Sequence, residues 1–380
     1  AGVGGFGGDG GDGGAVSVSY KGELIALPRT VHEDQTITVN EKGGADGLVA
    51  QSIGGGGGTG GINVSAGLTI SSKPSAGQPE SKSYAMLIGV GGFGGKGGNA
   101  GEVDVKVLQG STIHAHGTGR SGVLAQSVGG GGGNGGLNVS GGIVSDTSLI
   151  VGVGGMTDKG GSAKSVSVQT RADITVTTDP ADFAIPSDEK AFEEKLREVL
   201  GNTIVDGLDG ILESRNLKTL FVDLGLFKGD DNPPETQGSA GILAQSIGGG
   251  GGNGGLNVSG GVAISKDGKI PSITFGIGGF GGDGNVAGNV SVNHEGNIGV
   301  EGSWKHGIFA QSVAGGGGNG AVNVSGQLNW GSSEATGGKT DLSIVAGLGG
   351  HGGEGANAGN VSVVSSGNIY TRGYHARGIF

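Results

Sequence analysis

The sequence has no cysteine, few aromatic residues and few charged ones. Without cysteine, the chain forms no disulfide framework and no cysteine-based zinc site. Aromatic residues make up 4% and apolar residues 34% of the 380 residues, which is too little for one ordinary large core. No apolar run approaches the roughly 18 residues of a membrane-spanning helix. We therefore expect neither a disulfide-rich domain, nor a helical membrane protein, nor a conventional globular enzyme.

Charge is concentrated in one segment. The net charge is −11, and residues 180–236 contribute 13 acidic and 6 basic side chains to it. The rest of the chain is nearly neutral, which excludes a basic stripe for nucleic acid. The sequence also lacks a Gly-x-Ser-x-Gly turn and a His-Glu-x-x-His helix. We expect no enzymatic activity, no cofactor, no metal site and no nucleic-acid partner.

Glycine is abundant, and it is arranged in repeats. The 95 glycines follow no strict triplet along the whole chain, a composition otherwise typical of disorder. One phrase nevertheless recurs four times, with its glutamines 75, 119 and 66 residues apart. Short Val/Ile/Leu segments between the copies can bury an apolar face only if units stack, which indicates a repeat protein. The phrase is Ala-Gln-Ser-Ile/Val followed by the glycine run and Asn-Val-Ser, and its glutamines are Gln51, Gln126, Gln245 and Gln311.

The glycines within the phrase vary little. The fourth copy has Ala314 and Ala321 at the first and last positions of the run, so we expect these positions to accept a Cβ. The inner glycines are invariant among the copies, which favours close packing of backbone against backbone. A phosphate-binding loop would need Lys-Ser/Thr and a helix after the run, and neither is present. We take as structural repeat positions the four glutamines, which could form amide ladders, and Gly56, Gly131, Gly250 and Gly316.

A second glycine-rich motif occurs five times, and each copy ends in an alternating strand. Its acidic residues Asp9, Asp12 and Asp283 suggest calcium-binding repeats, but other copies carry Lys96 or Lys159. We expect folding to be independent of calcium. Six Asn-Val-Ser sequons recur with the strands, and we expect their valines to face inward and their asparagines outward; the asparagines are Asn63, Asn138, Asn257, Asn289, Asn323 and Asn360.

A strand, a corner and a second strand precede each phrase. The corner holds Trp304 in one unit and Tyr374 in the next, and we predict it to be a contact site in which the aromatic rings are candidates for stacking on sugars. In the third unit the corner is replaced by a long insert with apolar residues at helical spacing. The predicted domains are β-solenoid repeats at 1–178, an α-helical insert at 179–236, and the continuing β-solenoid at 237–380.

The Ala-Gln-Ser-Ile-Gly-Gly-Gly-Gly-Gly-Asn-Gly-Gly element, as at 244–255, resembles repeats in the passenger regions of large type V autotransporter adhesins of Gram-negative bacteria. This resemblance covers nearly all of the chain apart from the insert. It implies an all-β fold, a right-handed β-solenoid or β-helix with glycine-rich corners. The residues alone leave a second architecture open, a bundle of extended polyglycine II helices packed closely together.

The resemblance also implies a function. It predicts an extracellular passenger on the bacterial cell surface, acting as an adhesin or as a structural fibre and spacer. Expected partners are host or bacterial cell surfaces, with carbohydrate and like chains as candidates. Attachment to the outer membrane would occur only through a barrel outside this chain. The alternative is an exported solenoid enzyme acting on polysaccharide, which would need an acidic pair along one face.

Overall fold

The described part of the chain is built from β-strands, with no helix. The computed structural model describes residues 1–26, 29–31, 37–39, 44–70, 84–117, 119–145, 147–177, 239–265, 271–331 and 342–380. The predicted helical insert at 179–236 lies outside these residues.

The strands are numbered along the chain. They are β1 (Gly2–Val3), β2 (Val16–Tyr20), β3 (Glu23–Ala26), β4 (Arg29–Val31), β5 (Ile37–Val39), β6 (Leu48–Ile53), β7 (Asn63–Thr69), β8 (Tyr84–Val90), β9 (Val103–His116), β10 (Val123–Val128), β11 (Asn138–Val144), β12 (Thr147–Val153), β13 (Val166–Thr177), β14 (Ala240–Ile247), β15 (Asn257–Ser265), β16 (Ser272–Ile277), β17 (Val290–Glu295), β18 (Ile298–Glu301), β19 (His306–Val313), β20 (Asn323–Gly331), β21 (Ser343–Leu348), β22 (Val361–Ser366) and β23 (Ile369–Arg372).

Four parallel sheets run through the stacked units. Sheet I has the order β1-β8-β12-β16-β21, sheet II β2-β9-β13-β17-β22 with β3, β18 and β23 alongside, sheet III β6-β10-β14-β19, and sheet IV β7-β11-β15-β20. Each unit visits sheet I, a first glycine segment, sheet II, sheet III, a second glycine segment and sheet IV. An all-β structure with parallel sheets of this kind is compatible with a β-helix or solenoid.

The repeats pair in register. Gln126 of β10 lies opposite Gln51 of β6 and Gln245 of β14, and the neighbouring alanines and serines pair in the same way. Register also holds on both sides of the long insert, where Ile174 pairs with Ile113 and Ile298, and Ile242 pairs with Val123 and Ile308. The corner between sheets II and III therefore varies in length without shifting the strands that flank it.

Sheets II and III enclose the apolar core. Alternate residues of β9 and β13 point inward and are almost fully buried, including Val105, Val168 and Ile174. The facing positions of sheet III are alanine, serine or a branched aliphatic residue, such as Ala125 and Ile242. Period-two alternation of apolar and polar residues thus places the apolar face inside at this end of each unit, as the sequence predicts.

Sheets I and IV enclose a polar interior where they adjoin the glycine segments, and a small apolar cluster with Val144 and Ala263 lies farther along the strands. Asn138 and Ser140 are buried between them, whereas Val64 of sheet IV is 67% exposed. The expectation of outward Asn and inward Val is therefore wrong for Asn63, Asn138, Asn257 and Asn323. It is correct for Val290 in sheet II, where Asn289 lies outside. Glycine in sheet I leaves the space that these inward asparagines and serines occupy. A Cβ on Gly152 of sheet I would collide with Ser259 and Asn257.

The glycine segments bond to one another with a period of three residues. The first segments are 4–15, 91–102, 154–165, 278–289 and 349–360; the second are 54–62, 129–137, 248–256 and 314–322. Gly7, Gly10 and Gly13 each donate an N–H to the adjacent first segment, at 2.7–2.8 Å. The second segments bond to the first segments in the same way: the N–H groups of Gly55, Gly58 and Gly61 donate to backbone carbonyl oxygens of the first segment at 2.8 Å. Three residues per turn is the period of an extended polyproline II-type helix. The structure thus combines parallel β-sheets with the polyglycine packing that the sequence analysis leaves open as an alternative.

This packing divides the glycines into crowded and open positions. A Cβ on Gly57 or Gly133 would overlap a backbone carbonyl oxygen of a neighbouring segment, and so would a Cβ on Gly54. Every third residue instead faces outward: a Cβ on Gly56 would meet nothing closer than 3.8 Å. The expectation of crowding is correct for Gly57 but wrong for the four repeat glycines chosen from the sequence, which occupy the open position; they are Gly56, Gly131, Gly250 and Gly316.

Candidate functional site

The glutamines of the repeated phrase form a column on the outer side of sheet III. Nε2 of Gln51 donates to Oε1 of Gln126 at 2.6 Å, Gln126 donates to Gln245 at 2.7 Å, and Gln245 donates to Gln311 at 3.1 Å. In-register pairing places identical amides on adjacent strands, so each amide can donate to one neighbour and accept from the other. The column links the stacked units through side chains as well as through backbone.

The serine of the same phrase faces inward and joins the two layers. Oγ of Ser127 donates to the carbonyl of Gly101 and accepts the N–H of Lys164, both at 2.9 Å. Ser52, Ser246 and Ser312 make the same pair of bonds at the end of the glycine segments. These serines were not among the predicted site residues, although their invariance among the four copies was a signal for them.

A second amide column is buried between sheets I and IV. Nδ2 of Asn63 donates to Oδ1 of Asn138 at 2.6 Å, Asn138 donates to Asn257 at 2.7 Å, and Asn257 donates to Asn323 at 2.5 Å. Each Nδ2 also donates to the serine two residues on, as Asn138 does to Ser140 at 3.1 Å. Both donors of the Asn63, Asn138 and Asn257 amides are thereby used inside the protein.

The acidic residues of the second motif bond to backbone. Oδ1 of Asp9 accepts the N–H of Lys96 at 2.8 Å, Oδ1 of Asp12 accepts that of Asn99 at 2.6 Å, and Oδ1 of Asp283 accepts that of Glu354 at 2.8 Å. Each carboxylate therefore satisfies an outward amide of the next unit. An asparagine can make the same bond, as Asn289 does to Asn360 at 2.8 Å, so these contacts do not require a negative charge.

The outward positions explain the composition of both glycine segments. Counting from Val3 at the end of β1, the outward residues Phe6, Asp9, Asp12 and Ala15 of the first segment stand three residues apart with two glycines between each pair. The outward residue can have a side chain, whereas the first glycine of a pair, such as Gly7 or Gly10, faces the backbone of the second glycine segment. In the following unit the second glycine of a pair, such as Gly95, faces the backbone of the preceding unit. This local X-Gly-Gly triplet was the sequence signal for the packing. Because later units interrupt it, for example at Thr157 and Asp158, it does not extend along the whole chain.

The predicted contact corner brings three rings together. The ring centroids of Trp304 and Tyr374 are 6.4 Å apart in an edge-to-face arrangement, and His375 lies 4.4 Å from the first and 4.0 Å from the second. Trp304 is 40% and Tyr374 63% exposed. Within the described residues, Trp304 and His375 are the non-glycine residues with positive φ, at 59° and 53°. Such backbone costs about 1–3 kcal/mol per residue and clusters at functional sites.

Trp304 and Tyr374 are the aromatic residues predicted at this corner, but the register pairs Trp304 with His375. Glu301 lies opposite Arg372, so the third residue after each falls at the same level of the stack. His375 was therefore missed, and its signal was the shared spacing from Gly302 and Gly373.

A second aromatic group lies at the start of β19. His306, Phe309 and Phe380 stack with ring centroids 4.9–5.6 Å apart, and the Arg377 guanidinium lies 4.5 Å from the centre of the Phe380 ring. Nδ1 of His306 accepts the N–H of Arg377 at 3.2 Å. Burial and then the charge of Arg377 lower the pKa of His306.

Burial lowers the pKa of two ionisable groups inside the protein, Lys305 and His294. Lys305 is 1% exposed, and its Nζ donates to the carbonyl oxygen of Gly117 at 2.6 Å. Burial lowers the pKa of this lysine to about 8, an effect that Asp46 partly opposes. His294 lies in the core of sheet II with its Nδ1 2.6 Å from Oγ1 of Thr170, and burial lowers its pKa.

The described residues offer no metal centre. No group of three or more His, Cys, Asp or Glu side chains in this part of the chain could hold an ion. His114 and His116 do share the outer face of β9, and Nδ1 of His116 lies 3.0 Å from Oγ1 of Thr177. Nor does any described segment form a helix long and apolar enough to cross a membrane.

Comparison with known proteins found no match: no protein family, no curated protein and no solved structure is significantly similar to this chain.

Proposed function

We propose that this chain is part of the exported passenger of a type V autotransporter, displayed on the surface of a Gram-negative bacterium as an adhesin or structural spacer. In this proposal the four parallel sheets form a right-handed β-solenoid. The sequence resemblance suggests the family, and the in-register stacking of the units supports a fibre. A stack of this kind grows in length with each added unit, because each unit contacts mainly its neighbours.

One observation carries the proposal: every layer of the unit is bonded to the same layer of the next unit. Sheets I to IV do so through backbone, the glycine segments through bonds every third residue, and the glutamines and asparagines through amide columns. Such continuity resists bending and shear between units, which is what a surface spacer requires.

The corner that holds Trp304, Tyr374 and His375 is the proposed contact site. Corner residues project from a stack whose other positions are constrained by their neighbours, so variation there leaves the scaffold intact. Exposed rings can stack on the apolar faces of sugars, which makes cell-surface carbohydrate a candidate ligand.

The experiment is to express the full-length reading frame in a Gram-negative host. We expect antibodies raised against residues 239–380 to label intact cells, and external protease to remove the label. The expressing cells would then be tested for binding to glycan arrays and to host cells, with Trp304→Ala as the corner variant. Antigen confined to the cytoplasm or periplasm would overturn surface display, and unchanged adhesion in the variant would overturn the role of the corner.

A further inference from the structure

One broad side of the stack is free of charge. In each unit, sheet III, the second glycine segment and sheet IV follow one another in one layer, and ten positions per unit point outward from it. We name these positions the uncharged face. They are Val49, Gln51, Ile53, Gly56, Thr59, Ile62, Val64, Ala66, Leu68 and Ile70 in the first unit and their counterparts in the next three units, Leu124 to Ser145, Leu243 to Ile264 and Phe309 to Trp330.

None of these positions in any unit is Asp, Glu, Lys or Arg. The opposite layer, built from sheet I, the first glycine segment and sheet II, has charged residues at its outward positions in every unit; they include Asp9, Lys96, Lys159, Asp283 and Glu354. Both glycine segments have the same triplet geometry, and the first accepts lysine at its outward position. Charge is therefore sterically allowed on the uncharged face, and its absence there is a property of that face.

The uncharged face is also apolar and accessible. Its columns alternate amides with large apolar side chains, and several of the latter are more than half exposed, including Ile62, Leu68, Val324 and Leu328. Leu243 and Phe309 are buried, so the column of side chains nearest the corner is not fully available for contact with a partner. A soluble surface normally interrupts apolar area of this extent with charge, and a continuous patch marks an interaction site.

We propose that the uncharged face is a lateral association surface and that its partner is the same face of a second copy of this chain. The columns repeat once per unit at the strand spacing of about 4.8 Å. A second copy of the chain presents side chains at the same spacing between units. Its side chains can therefore pack between those of the first copy along the whole stack. The proposal does not depend on the identity of the surface on which the chain is displayed.

Charge and area both fit this partner. Two copies joined through the uncharged face keep the charges of the opposite layer on the outside of the pair, which limits electrostatic repulsion across the interface. The second glycine segment and sheet IV extend for about 50 Å at roughly 3.1–3.3 Å per residue. Four strands at about 4.8 Å give a height of about 19 Å, and hence about 1,000 Å² per copy. A standard stable interface needs about 800 Å² per partner.

The test compares two matched double variants of the 380-residue chain. Asn134→Lys with Asn253→Lys places two lysines in adjacent units of the uncharged face. Ser162→Lys with Val286→Lys places two lysines in adjacent units of the opposite layer, also at outward triplet positions. The uncharged-face variant loses the amide bonds of Asn134 to Asn253 and of Asn253 to Asn319, both at 3.2 Å, whereas the opposite-layer variant loses the bond of Ser162 to Asn99 at 2.8 Å. Circular dichroism and thermal melting establish that both variants fold.

Sedimentation velocity over a concentration series gives the readout. We expect the unmodified chain and the opposite-layer variant to dimerise alike, and the uncharged-face variant to show at least a tenfold higher dissociation constant. Because the chain has no cysteine, Asn253→Cys and Ser162→Cys can each carry a single spin label. Short label-to-label distances are expected for Asn253→Cys and not for Ser162→Cys.

Three results would overturn the proposal. The first is an unmodified chain that stays monomeric at the highest soluble concentration. The second is equal weakening of association by both double variants. The third is a monomeric chain that co-sediments with phosphatidylcholine vesicles through the uncharged face, which would make a lipid surface the partner.

Discussion

The two ends of each unit bury opposite kinds of side chain. Sheets II and III bury valine and isoleucine and turn polar residues outward, whereas sheets I and IV, where they adjoin the glycine segments, bury asparagine and serine and expose valine. Both ends show the same period-two alternation in sequence. The comparison teaches that alternation establishes which residues share a face, but not which face is buried.

The reason lies in the stacking. A buried amide without partners costs several kcal/mol, but a column of identical amides in register supplies each member with a donor and an acceptor. Asn138 receives a bond from Asn63 and donates one to Asn257. Once the column is complete, sheet I needs only small residues opposite it, and glycine occupies that position from Gly2 to Gly276.

The largest expected effect concerns the glycine segments that join the two ends. Gly133→Ala should lower the free energy of unfolding by about 3 kcal/mol or more, because its Cβ would overlap the backbone of the adjacent segment. Gly131→Ala is the matched control two residues away, where the new methyl group meets only Gly250 at 3.9 Å. We expect this control to change stability by less than about 0.5 kcal/mol. Urea unfolding of the two variants measures the difference, and equal losses would contradict the triplet packing.

The next effect tests the polar interior. Asn138→Ala should cost about 2–4 kcal/mol, because it leaves the Asn63 donor and the Asn257 acceptor buried without their partner. Gln126→Ala removes the central member of the half-exposed glutamine column and should cost less than about 1 kcal/mol, since water can replace the lost bonds. If the two alanine variants had the same urea midpoint, burial would not be what makes the asparagine column important.

An identical substitution at both ends tests the inversion directly. Val168→Thr places a hydroxyl in the apolar core of sheet II and should cost about 1–3 kcal/mol. Val139→Thr makes the same change on the outer side of sheet IV and should be nearly neutral. Thermal melting of the pair is sufficient, and a larger loss for Val139→Thr would reverse the assignment of inside and outside at sheet IV.

A smaller effect concerns the buried lysine at the corner. Burial lowers the pKa of Lys305 from 10.5 to about 8, so the unfolded chain binds more protons at this site between these two values. The contribution of Lys305 to stability should therefore rise as pH increases from about 8 to about 10.5 and be smallest below that window. Comparing unfolding free energies of the unmodified chain and Lys305→Met at several pH values isolates this contribution. A difference between the two proteins that does not change with pH would contradict it.

The smallest expected effect is that of calcium removal. The carboxylates of Asp9, Asp12 and Asp283 bond to backbone amides, so chelation should leave the melting temperature unchanged. Melting curves with EDTA, and with EDTA plus excess calcium, provide the measurement. A loss of several degrees that calcium restores would show that metal contributes to folding.

Local patterns allowed part of this structure to be predicted. The return of Gln51 and its counterparts predicted stacking, and the structure pairs these glutamines in register. The orientation of Asn138 and the open position of Gly131 were predicted incorrectly. The orientation of Asn138 and the open position of Gly131 both depend on which part of the neighbouring units lies opposite. Such neighbours are 63 to 119 residues away in the sequence.

The sequence by itself determined the repeat, the strands and the invariant small residues, because each of these follows from the local periodicity of side chains and the conformations they allow. Tertiary structure alone decided which face of sheet IV is buried, which glycine of each triplet is crowded, and that Trp304 meets His375. These properties arise when identical side chains align between units, since hydrogen-bond satisfaction and steric exclusion then depend on the neighbouring unit and not on the residue's own segment.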